Sequence, residues 1–413
     1  MRLCKYVPPE RVDILTGGRI RFTQPTVFND PFEMSPRLNG LLTAADILAD
    51  DEMMQRAQEE FDGLADDIRS RIEFDQFLEK FVEVINDGVA GKGILDEVRH
   101  TLIARFLSQT GVLTMAERPD NLLMWSHYAD QHRGFVIEFD TDHPFFDQRR
   151  SDDDHFHHVR KVLYSDERPT TVLSAFLGES TLLTKSAEWE YEQEWRMLID
   201  LDEVSHDTVQ PGDDSIYLVP VPPKAITRII LGHRMLEEQR ETIVEMLTTD
   251  RRFAHVEVLQ AEIDEDRFAL NFSGLAEHYF ERFRAALQRA VRWGAAENDA
   301  ERRDNWSGIL AAAIPDIDRA MRLAPNEPSY PAARGVANQM MGRLEDALED
   351  YARAVLLDPK SAEMHGARGL ILAEMGRLDQ AESALARALR LGMTDVQDAL
   401  EQVRQAQATR AAV

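Results

Sequence analysis

Short hydrophobic runs bounded by glycine, proline or aspartate recur through residues 1–273, and runs of this kind predict β-strands. Within residues 42–109 the spacing of hydrophobic positions changes to three or four residues, as at Phe74, Phe77 and Phe81, which predicts helices. We therefore expect an α+β domain, with a mixed sheet and a helical insertion packed beside it. The predicted strands are 20–22, 112–115, 135–139, 196–201, 216–219, 226–231 and 256–259.

The C-terminal third consists of predicted helices that repeat with a period of 34 residues. Residues 274–292 form the predicted helix that connects the α+β domain to these repeats. Small residues and a proline recur at the same offset, which places close helix contacts and helix ends at equivalent positions. Matching pairs are Pro325 and Pro359, Gly335 and Gly369, Gly342 and Gly376, Ala347 and Ala381, and Ala354 and Ala388.

This period, the recurring small residues and the Asp358-Pro359 break between helices resemble tetratricopeptide repeats. The resemblance implies an all-α solenoid over residues 293–413, with a concave groove that binds a protein or peptide partner. We predict two clear repeats, a degenerate one before them and a capping helix after them. The bounds are 293–324 for the degenerate repeat, 325–358 and 359–392 for the clear repeats, and 393–409 for the capping helix.

The net charge of −27 is concentrated in the predicted α+β domain, because 53 acidic and 29 basic residues precede Leu275. Such a field repels phosphate groups, which disfavours binding to bulk nucleic acid or to an anionic membrane. No run of 18 apolar residues occurs, so no membrane-spanning helix is predicted. The single cysteine, Cys4, excludes an internal disulfide and fits a reducing compartment, so we expect a cytoplasmic protein.

Two clusters of aromatic and charged residues, 124–129 and 189–196, hold three of the five tryptophans beside titratable side chains. Because an unpaired buried charge is costly, this mixture favours a cleft or a paired polar network. Two segments nearer the N-terminus add further polar residues, and we predict that all these segments converge on one cleft. The added residues are Lys5, Tyr6, Asn29 and Asp30.

Each of these segments also has a purely structural interpretation. Asn29-Asp30-Pro31 is typical of a turn, because Asn and Asp bond their own backbone and proline fixes the next φ angle. His127 lies in a predicted short helix beside Trp125, where a histidine is as often a hydrogen-bonded packing residue as a general base.

Three glutamates, Glu190, Glu192 and Glu194, alternate along the second cluster. We expect them on one face of an extended segment that leads into the strand beginning at Arg196. Two interpretations remain open: Lys185 or Arg196 neutralises the row, or one carboxylate is catalytic at the strand edge.

His155, His157 and His158 follow three aspartates and raise the question of a metal site. His155 and His157 would share one strand face, which is a workable spacing for two ligands. Because no third ligand is identified, a solvated loop is favoured and no metal is expected. Glycine-rich phosphate loops, Cys-x-x-Cys and a serine-nucleophile elbow are absent from the sequence.

Taken together, the N-terminal segments resemble the bacterial family of domains of unknown function 2971 (DUF2971) over about residues 3–272. The ordered set of motifs is specific to that family. It comprises Lys5-Tyr6, Phe28 to Glu33, Met124 to Asp130 with His132 and Gly134-Phe135, Tyr164 to Asp166, Lys185 with Trp189 to Arg196, and Ile229 to Gly232.

A weaker resemblance to ADP-ribosyltransferase folds implies a chemistry. In those folds a polar residue on the first strand holds the nicotinamide ribose, an aromatic side chain stacks on nicotinamide, and a glutamate at a late strand edge stabilises the ribosyl cation. Lys5-Tyr6, Ile14 to Gly18 and a glutamate before a strand occur here in that order, although Lys5-Tyr6 replaces the usual first-strand His or Arg. The resemblance implies NAD as the cofactor.

On this basis the candidate catalytic residues are Glu194, Glu192, His127 and Tyr128, with Glu194 the first choice for the catalytic carboxylate and Glu192 the second. The candidate cofactor-binding residues are Lys5, Tyr6, Asn29, Asp30, Trp125 and Arg196. The sequence thus supports an NAD-consuming transferase whose repeats select a target protein. The alternative is a non-enzymatic protein that senses a ligand or acts as a scaffold, and recruits a protein partner through its repeats.

Overall fold

The computed structural model describes residues 1–90, 99–152, 154–176, 178–204, 216–294 and 300–411. The chain forms two compact units, one of Met1–Glu257 with Ala261–Asn271 and one of Val258–Gln260 with Phe272–Val413. Within the described ranges, no helix has the length and apolar character needed to cross a membrane. The expected combination of a mixed α and β region with an all-helical repeat region is confirmed.

Each of the seven predicted strands overlaps an observed strand, and the described residues contain seven further strands. The strands are β1 Arg2–Val7, β2 Arg19–Phe22, β3 Arg37–Gly40, β4 Thr110–Ala116, β5 Phe135–Asp140, β6 Val159–Lys161, β7 Leu163–Ser165, β8 Thr170–Val172, β9 Thr184–Ser186, β10 Glu194–Asp200, β11 Tyr217–Pro220, β12 Ile226–Leu231, β13 Glu257–Ile263 and β14 Leu270–Gly274.

The helices fall into three groups: short helices beside the sheet, the insertion, and the C-terminal array. They are α1 Asp13–Gly17, α2 Ala44–Ala49, α3 Asp51–Asp62, α4 Asp66–Arg69, α5 Phe74–Ala90, α6 Ala104–Gln109, α7 Leu122–Tyr128, α8 Glu179–Leu183, α9 Glu237–Thr249, α10 Leu275–Gly294, α11 Ala300–Leu323, α12 Ser329–Met340, α13 Leu344–Leu357, α14 Ala362–Glu374, α15 Leu378–Arg390 and α16 Gln397–Ala411.

The main sheet has eight strands in the order β14-β13-β12-β5-β1-β4-β10-β6. The strands β5, β1, β4 and β10 at its centre pair in antiparallel fashion. In this register Cys4 of β1 and Glu194 of β10 both lie opposite Ala116 of β4. Because neighbouring strands are about 5 Å apart, the start of the chain lies roughly 10 Å from residue 194.

The predicted helical insertion is present as α2 to α6, although residues 91–98 within it lie outside the described ranges. Its first helix begins with a capping box, in which Thr43 and Asp46 bond each other's backbone. Ile47, Ala57 and Leu78 form its small core. The Asn86 side chain accepts from the backbone N–H of residue 41 and donates to the carbonyl of residue 42, which fixes α5 beside β3.

In the second unit, antiparallel helix pairs form a repeat array, with α16 packed on α15 at its end. Glycines stand where the paired helices approach closely. A Cβ on Gly335 would lie 3.1 Å from the Tyr351 ring, and one on Gly369 would lie 2.7 Å from Leu385. The small residues in the 34-residue pattern therefore mark helix contacts.

The segment predicted as a connecting helix belongs to the helical array. As α10 it packs on α11, where Arg282 lies 3.2 Å from Asp316 and Arg319 covers the Tyr279 ring. Phe280 also contacts Tyr330 of α12, with ring centres 4.8 Å apart. The first helix of the degenerate repeat is thus α10, which begins before the predicted boundary at residue 293. Residues 295–299, within the predicted range of this repeat, lie outside the described part of the chain.

Because α10 packs on its neighbours, we expect a fragment of residues 275–413 to unfold cooperatively. A fragment of residues 293–413 lacks α10 and should be less stable by roughly 3 kcal/mol or more, the contribution of one or two large buried side chains. Urea unfolding followed by circular dichroism compares the two. Equal midpoints would show that α10 does not stabilise the array.

Candidate functional site

A cavity of about 340 Å³ opens in the first unit where β1, β4 and the start of β10 meet the loop after β2 and the helix α7. Six candidate residues from the sequence line it, which brings four distant segments of the chain together. They are Lys5, Tyr6, Asn29, Tyr128, Glu192 and Glu194. The predicted convergence therefore holds for Tyr6 and Glu194, whereas His127 is not among the lining residues.

The other four candidates lie outside the cavity lining. His127 is exposed on α7. Trp125 is fully buried; its indole N–H donates to the Pro119 carbonyl at 2.7 Å, and its ring packs edge-on against Tyr6. Asp30 is buried, and its carboxylate accepts from a backbone N–H two residues on, as in the predicted turn. Trp125 and Asp30 thus support the cavity wall and do not line it.

Arg196, the fourth of these candidates, forms a charge cluster behind the cavity with Glu33, Lys185, Glu192 and Glu194. All five side chains are at most 6% exposed. Lys185 Nζ lies 2.6 Å from Glu192 Oε2 and 2.8 Å from Glu194 Oε2. Arg196 donates from Nε to Glu194 Oε1 at 2.8 Å and also contacts the Glu33 carboxylate. Three carboxylates therefore face two cations, which leaves a negative excess.

The pKa values of Glu33 and Glu194 are displaced in opposite directions within the charge cluster. Burial opposes ionisation of Glu194, but Arg196 and Lys185 outweigh it and lower its pKa to about 2. Burial raises the pKa of Glu33 to about 7, although Arg196 favours its charged form, and the nearby Glu194 adds to the rise. Glu194 is therefore the more strongly ionised of the two carboxylates, and Glu33 is the more easily protonated.

Two further polar side chains, Lys5 and Tyr128, line the cavity beside the charge cluster. Lys5 Nζ donates to the carbonyl and the hydroxyl of Thr114 at 2.8 and 2.9 Å, and burial lowers its pKa to about 8. The Tyr128 hydroxyl donates to Glu192 Oε1 at 2.6 Å and is also hydrogen-bonded to Asn29. Burial and the Glu192 charge raise the pKa of Tyr128, so its phenol stays protonated.

The backbone before β10 differs from the expected extended segment. Residues 187–192 form a 3₁₀ turn, and Gln193 has a φ of +45°, so the strand starts only at Glu194. Glu190 is consequently exposed, whereas Glu192 and Glu194 are buried and share Lys185. The prediction of three alternating glutamates on one strand face is wrong. The alternative interpretation, pairing with Lys185 or Arg196, applies to the two buried glutamates. Glu192 pairs with Lys185, and Glu194 pairs with both Lys185 and Arg196.

Sequence reasoning did not select Glu33 or Lys185 as site residues, although both line the cavity. Glu33 closes the Phe28 to Glu33 motif and Lys185 precedes the second aromatic cluster, so both lay within the quoted segments. The available signal was the excess of acids in that cluster. Buried carboxylates require buried cations such as Lys185, and a buried Arg196 requires a carboxylate partner such as Glu33.

The histidines after the aspartate run do not share a strand face as expected. β6 begins only at Val159, and His157 has a φ of +60°. The His157 ring lies 3.1 Å from the Asp154 carboxylate, and His158 bonds the carbonyl of residue 156. Among the residues that the structure describes, no group of three His, Cys, Asp or Glu side chains has a geometry suited to a metal ion.

The family described as proteins of unknown function, DUF2971, matches residues 124–197, a segment that contains most of α7, all of β5 and most of β10. The tetratricopeptide repeat family matches residues 362–391, which are α14 and α15. The chain therefore carries an N-terminal DUF2971 domain and C-terminal tetratricopeptide repeats. A search of curated proteins finds no match.

Solved structures similar to the chain include several tetratricopeptide domains. The Arabidopsis OM64 domain is 21% identical, with a TM-score of 0.26, over 32% of this chain and 94% of that one. The Sgt2 domain from Aspergillus fumigatus is 22% identical, with a TM-score of 0.28, over 34% and 85%. The first domain of human RPAP3 is 17% identical, with a TM-score of 0.26, over 32% and 97%.

Proposed function

We propose that the DUF2971 domain binds a small polar molecule in its cavity and that the tetratricopeptide repeats bind a protein or peptide. The observation that carries the first part is the lining itself. Side chains from four distant segments surround about 340 Å³ of space, and buried ionised groups stand at its wall. Concave sites with a few placed polar groups and displaced pKa values are typical of ligand pockets.

For the identity of the ligand we propose NAD, consumed in an ADP-ribosyltransferase-like reaction. The bond between the nicotinamide nitrogen and ribose C1 breaks, and its electron pair leaves with nicotinamide. Positive charge then develops on the ribose until an acceptor oxygen or nitrogen adds to C1 and releases its proton. The negative excess of the charge cluster supports this proposal, because carboxylates placed beside developing positive charge lower the barrier.

Within that proposal Glu192 is the better candidate for the charge-stabilising carboxylate. Glu194 is held by both Arg196 and Lys185, so its charge is largely neutralised. Glu192 contacts only one cation and is bonded to the neutral Tyr128 hydroxyl, which itself lines the cavity. Incubating the full chain with NAD and measuring free nicotinamide, with and without a cell lysate as acceptor, tests the transferase proposal.

The second candidate is a non-enzymatic sensor, favoured by the complete pairing of Glu194. In that case a ligand binds without turnover and alters what the repeats recruit. Thermal melting of the full chain with NAD, nucleotides or sugars detects such binding, because a ligand at 100 times its Kd stabilises the folded state by about 2.7 kcal/mol. Melting shifts without nicotinamide release would support the sensor and contradict the transferase.

The repeat groove has exposed apolar side chains at equivalent positions. Val336 of α12 and Leu370 of α14 are 34 residues apart, and both are exposed on the first helix of their helix pair. Stacked helix pairs form a concave face, and we propose that these first helices line it. We propose that these residues contact a bound peptide and that the bound partner is a protein.

We expect Leu370→Asp to reduce partner capture by tenfold or more, since a buried charge at an apolar contact costs about 1.4 kcal/mol or more. The measurement is photo-crosslinking from cell lysate followed by quantitative mass spectrometry of the captured proteins. Leu356→Asp is the matched control, because Leu356 is 79% exposed at the end of the second helix α13. Equal losses in both variants would contradict a role for the groove.

A further inference from the structure

A second cavity of about 400 Å³ lies in the first unit and shares no lining residue with the first. It is bounded by the start of α7, by the loops that precede β5 and follow β12, and by residues 263–270 between β13 and β14. Its lining combines the exposed apolar side chains Leu122, Ile263 and Phe268 with the charged residues 264–267. Two histidines, His132 and His233, stand in its wall.

The two imidazole rings are in contact, with centres 4.8 Å apart and planes inclined at 62°. The Nδ1 atom of each ring is buried and has no hydrogen-bond partner among the residues that the structure describes. Buried polar atoms are nearly always satisfied, so two adjacent unsatisfied nitrogens indicate a group that the protein itself does not supply.

The backbone holds His132 rigidly in an unfavourable conformation. Asp130, Gln131 and His132 have φ angles of 44°, 53° and 68°, a region that residues other than glycine rarely adopt. The His132 ring stacks on Trp125 with planes 4° apart, and a Cβ at Gly232 would lie 2.1 Å from the His132 carbonyl oxygen. Strain of this kind persists where the surroundings fix it and is concentrated at functional sites.

We propose that His132 and His233 together bind one divalent transition-metal ion such as Zn²⁺, with water or a further ligand in the remaining positions. A metal ion about 2.1 Å from a ring nitrogen lies roughly 3 Å from the ring centre, so two imidazoles sharing an ion have centres about 5 Å apart. The observed separation of 4.8 Å matches this arrangement.

The site provides only two protein ligands. Asp264 lines the same cavity, but its carboxylate accepts from the backbone of residues 266 and 267 and from the Asn271 side chain. A site with two imidazoles and open positions is of the catalytic or ligand-binding kind, because structural zinc sites are closed by four protein ligands.

The test is calorimetric titration of chelator-treated, dialysed full-length protein with Zn²⁺ and with Co²⁺. We expect one ion per chain, a visible Co²⁺ absorption band, and affinity at least roughly tenfold lower in His132→Asn and in His233→Phe, since each removes one of two protein ligands. Asn tolerates the left-handed backbone at 132, and Phe keeps the ring contact at 233. His365→Ala, which changes a histidine bonded to the Pro359 carbonyl in the second unit, should bind as the wild type does.

Two results would overturn the proposal. One is the absence of binding to the wild-type protein at metal concentrations up to about 100 µM, where a site with a micromolar Kd is saturated. The other is unchanged affinity in both His132→Asn and His233→Phe, with melting temperatures that show both variants to be folded. Loss of binding in the His365→Ala control would likewise assign the ion to a different place.

Discussion

Replacing Arg196 with methionine should destabilise the first unit by about 3–5 kcal/mol, the usual cost of removing one partner from a buried ionic network. Arg196 is fully buried and joins Glu33 to Glu194, and its Nη1 atom donates to the Leu182 carbonyl at 3.0 Å. Without it, three buried carboxylates share the single charge of Lys185. Methionine fills much of the same volume, so the loss reports charge and hydrogen bonding more than packing.

The measurement is urea unfolding of the full chain, followed by the fluorescence of the tryptophans. Arg118→Met is the matched control: Arg118 pairs with Asp120 on the surface, where its side chain is 62% exposed, so we expect a change of about 1 kcal/mol or less. A second variant, Arg196→Met with Glu33→Gln, should recover part of the loss because it removes one unbalanced carboxylate. A loss in Arg196→Met no larger than in Arg118→Met would mean that the network does not hold the site.

Local patterns in the sequence predicted the elements well. The run 226–231 is strand β12, and the 34-residue period places Gly335 and Gly369 at the contacts between paired helices. Both signals are short-range: alternation or continuity of hydrophobic residues decides a strand, and recurrence of small residues decides where helices meet.

The sequence did not predict which strands are neighbours or which charges pair. The order β5-β1-β4-β10 pairs residues as distant in sequence as Arg2 and Asp140, and Glu33 meets Arg196 across 163 positions. Such pairing depends on the whole sheet, so no local window contains it. The alternating glutamates misled for a related reason, because the pattern of Glu190 to Glu194 does not reveal the left-handed residue Gln193 that turns the chain.

Residue type alone also failed to separate cavity walls from supporting structure. Trp125 and His127 are neighbours in one motif, yet the first is in the core and the second is exposed. Tyr128, one residue further, lines the cavity. Because successive residues of a short helix point in different directions, only the packing of α7 on the sheet decides which of them faces the ligand.

If the DUF2971 domain releases nicotinamide from NAD, we expect Glu192→Gln to lower the rate by about 10²–10³-fold, the usual effect of removing one group that stabilises developing charge. Glutamine keeps the shape of the glutamate side chain and can still accept from the Tyr128 hydroxyl, but it no longer stabilises the positive charge that develops on the ribose. Lys185 keeps Glu194 as its partner at 2.8 Å, so folding should change little. The rate is measured as free nicotinamide at saturating NAD.

Glu190→Gln is the matched control, because Glu190 is exposed two residues away and its variant should react at the wild-type rate. Glu194→Gln is a less decisive variant: it leaves Arg196 and Lys185 short of a carboxylate, so a fall in its rate combines lost stability with lost chemistry. A Glu192→Gln protein that is folded and fully active would remove Glu192 from the mechanism. A wild-type protein that binds NAD without releasing nicotinamide would instead leave the cavity as a sensor, and the charge cluster as the element that fixes its shape.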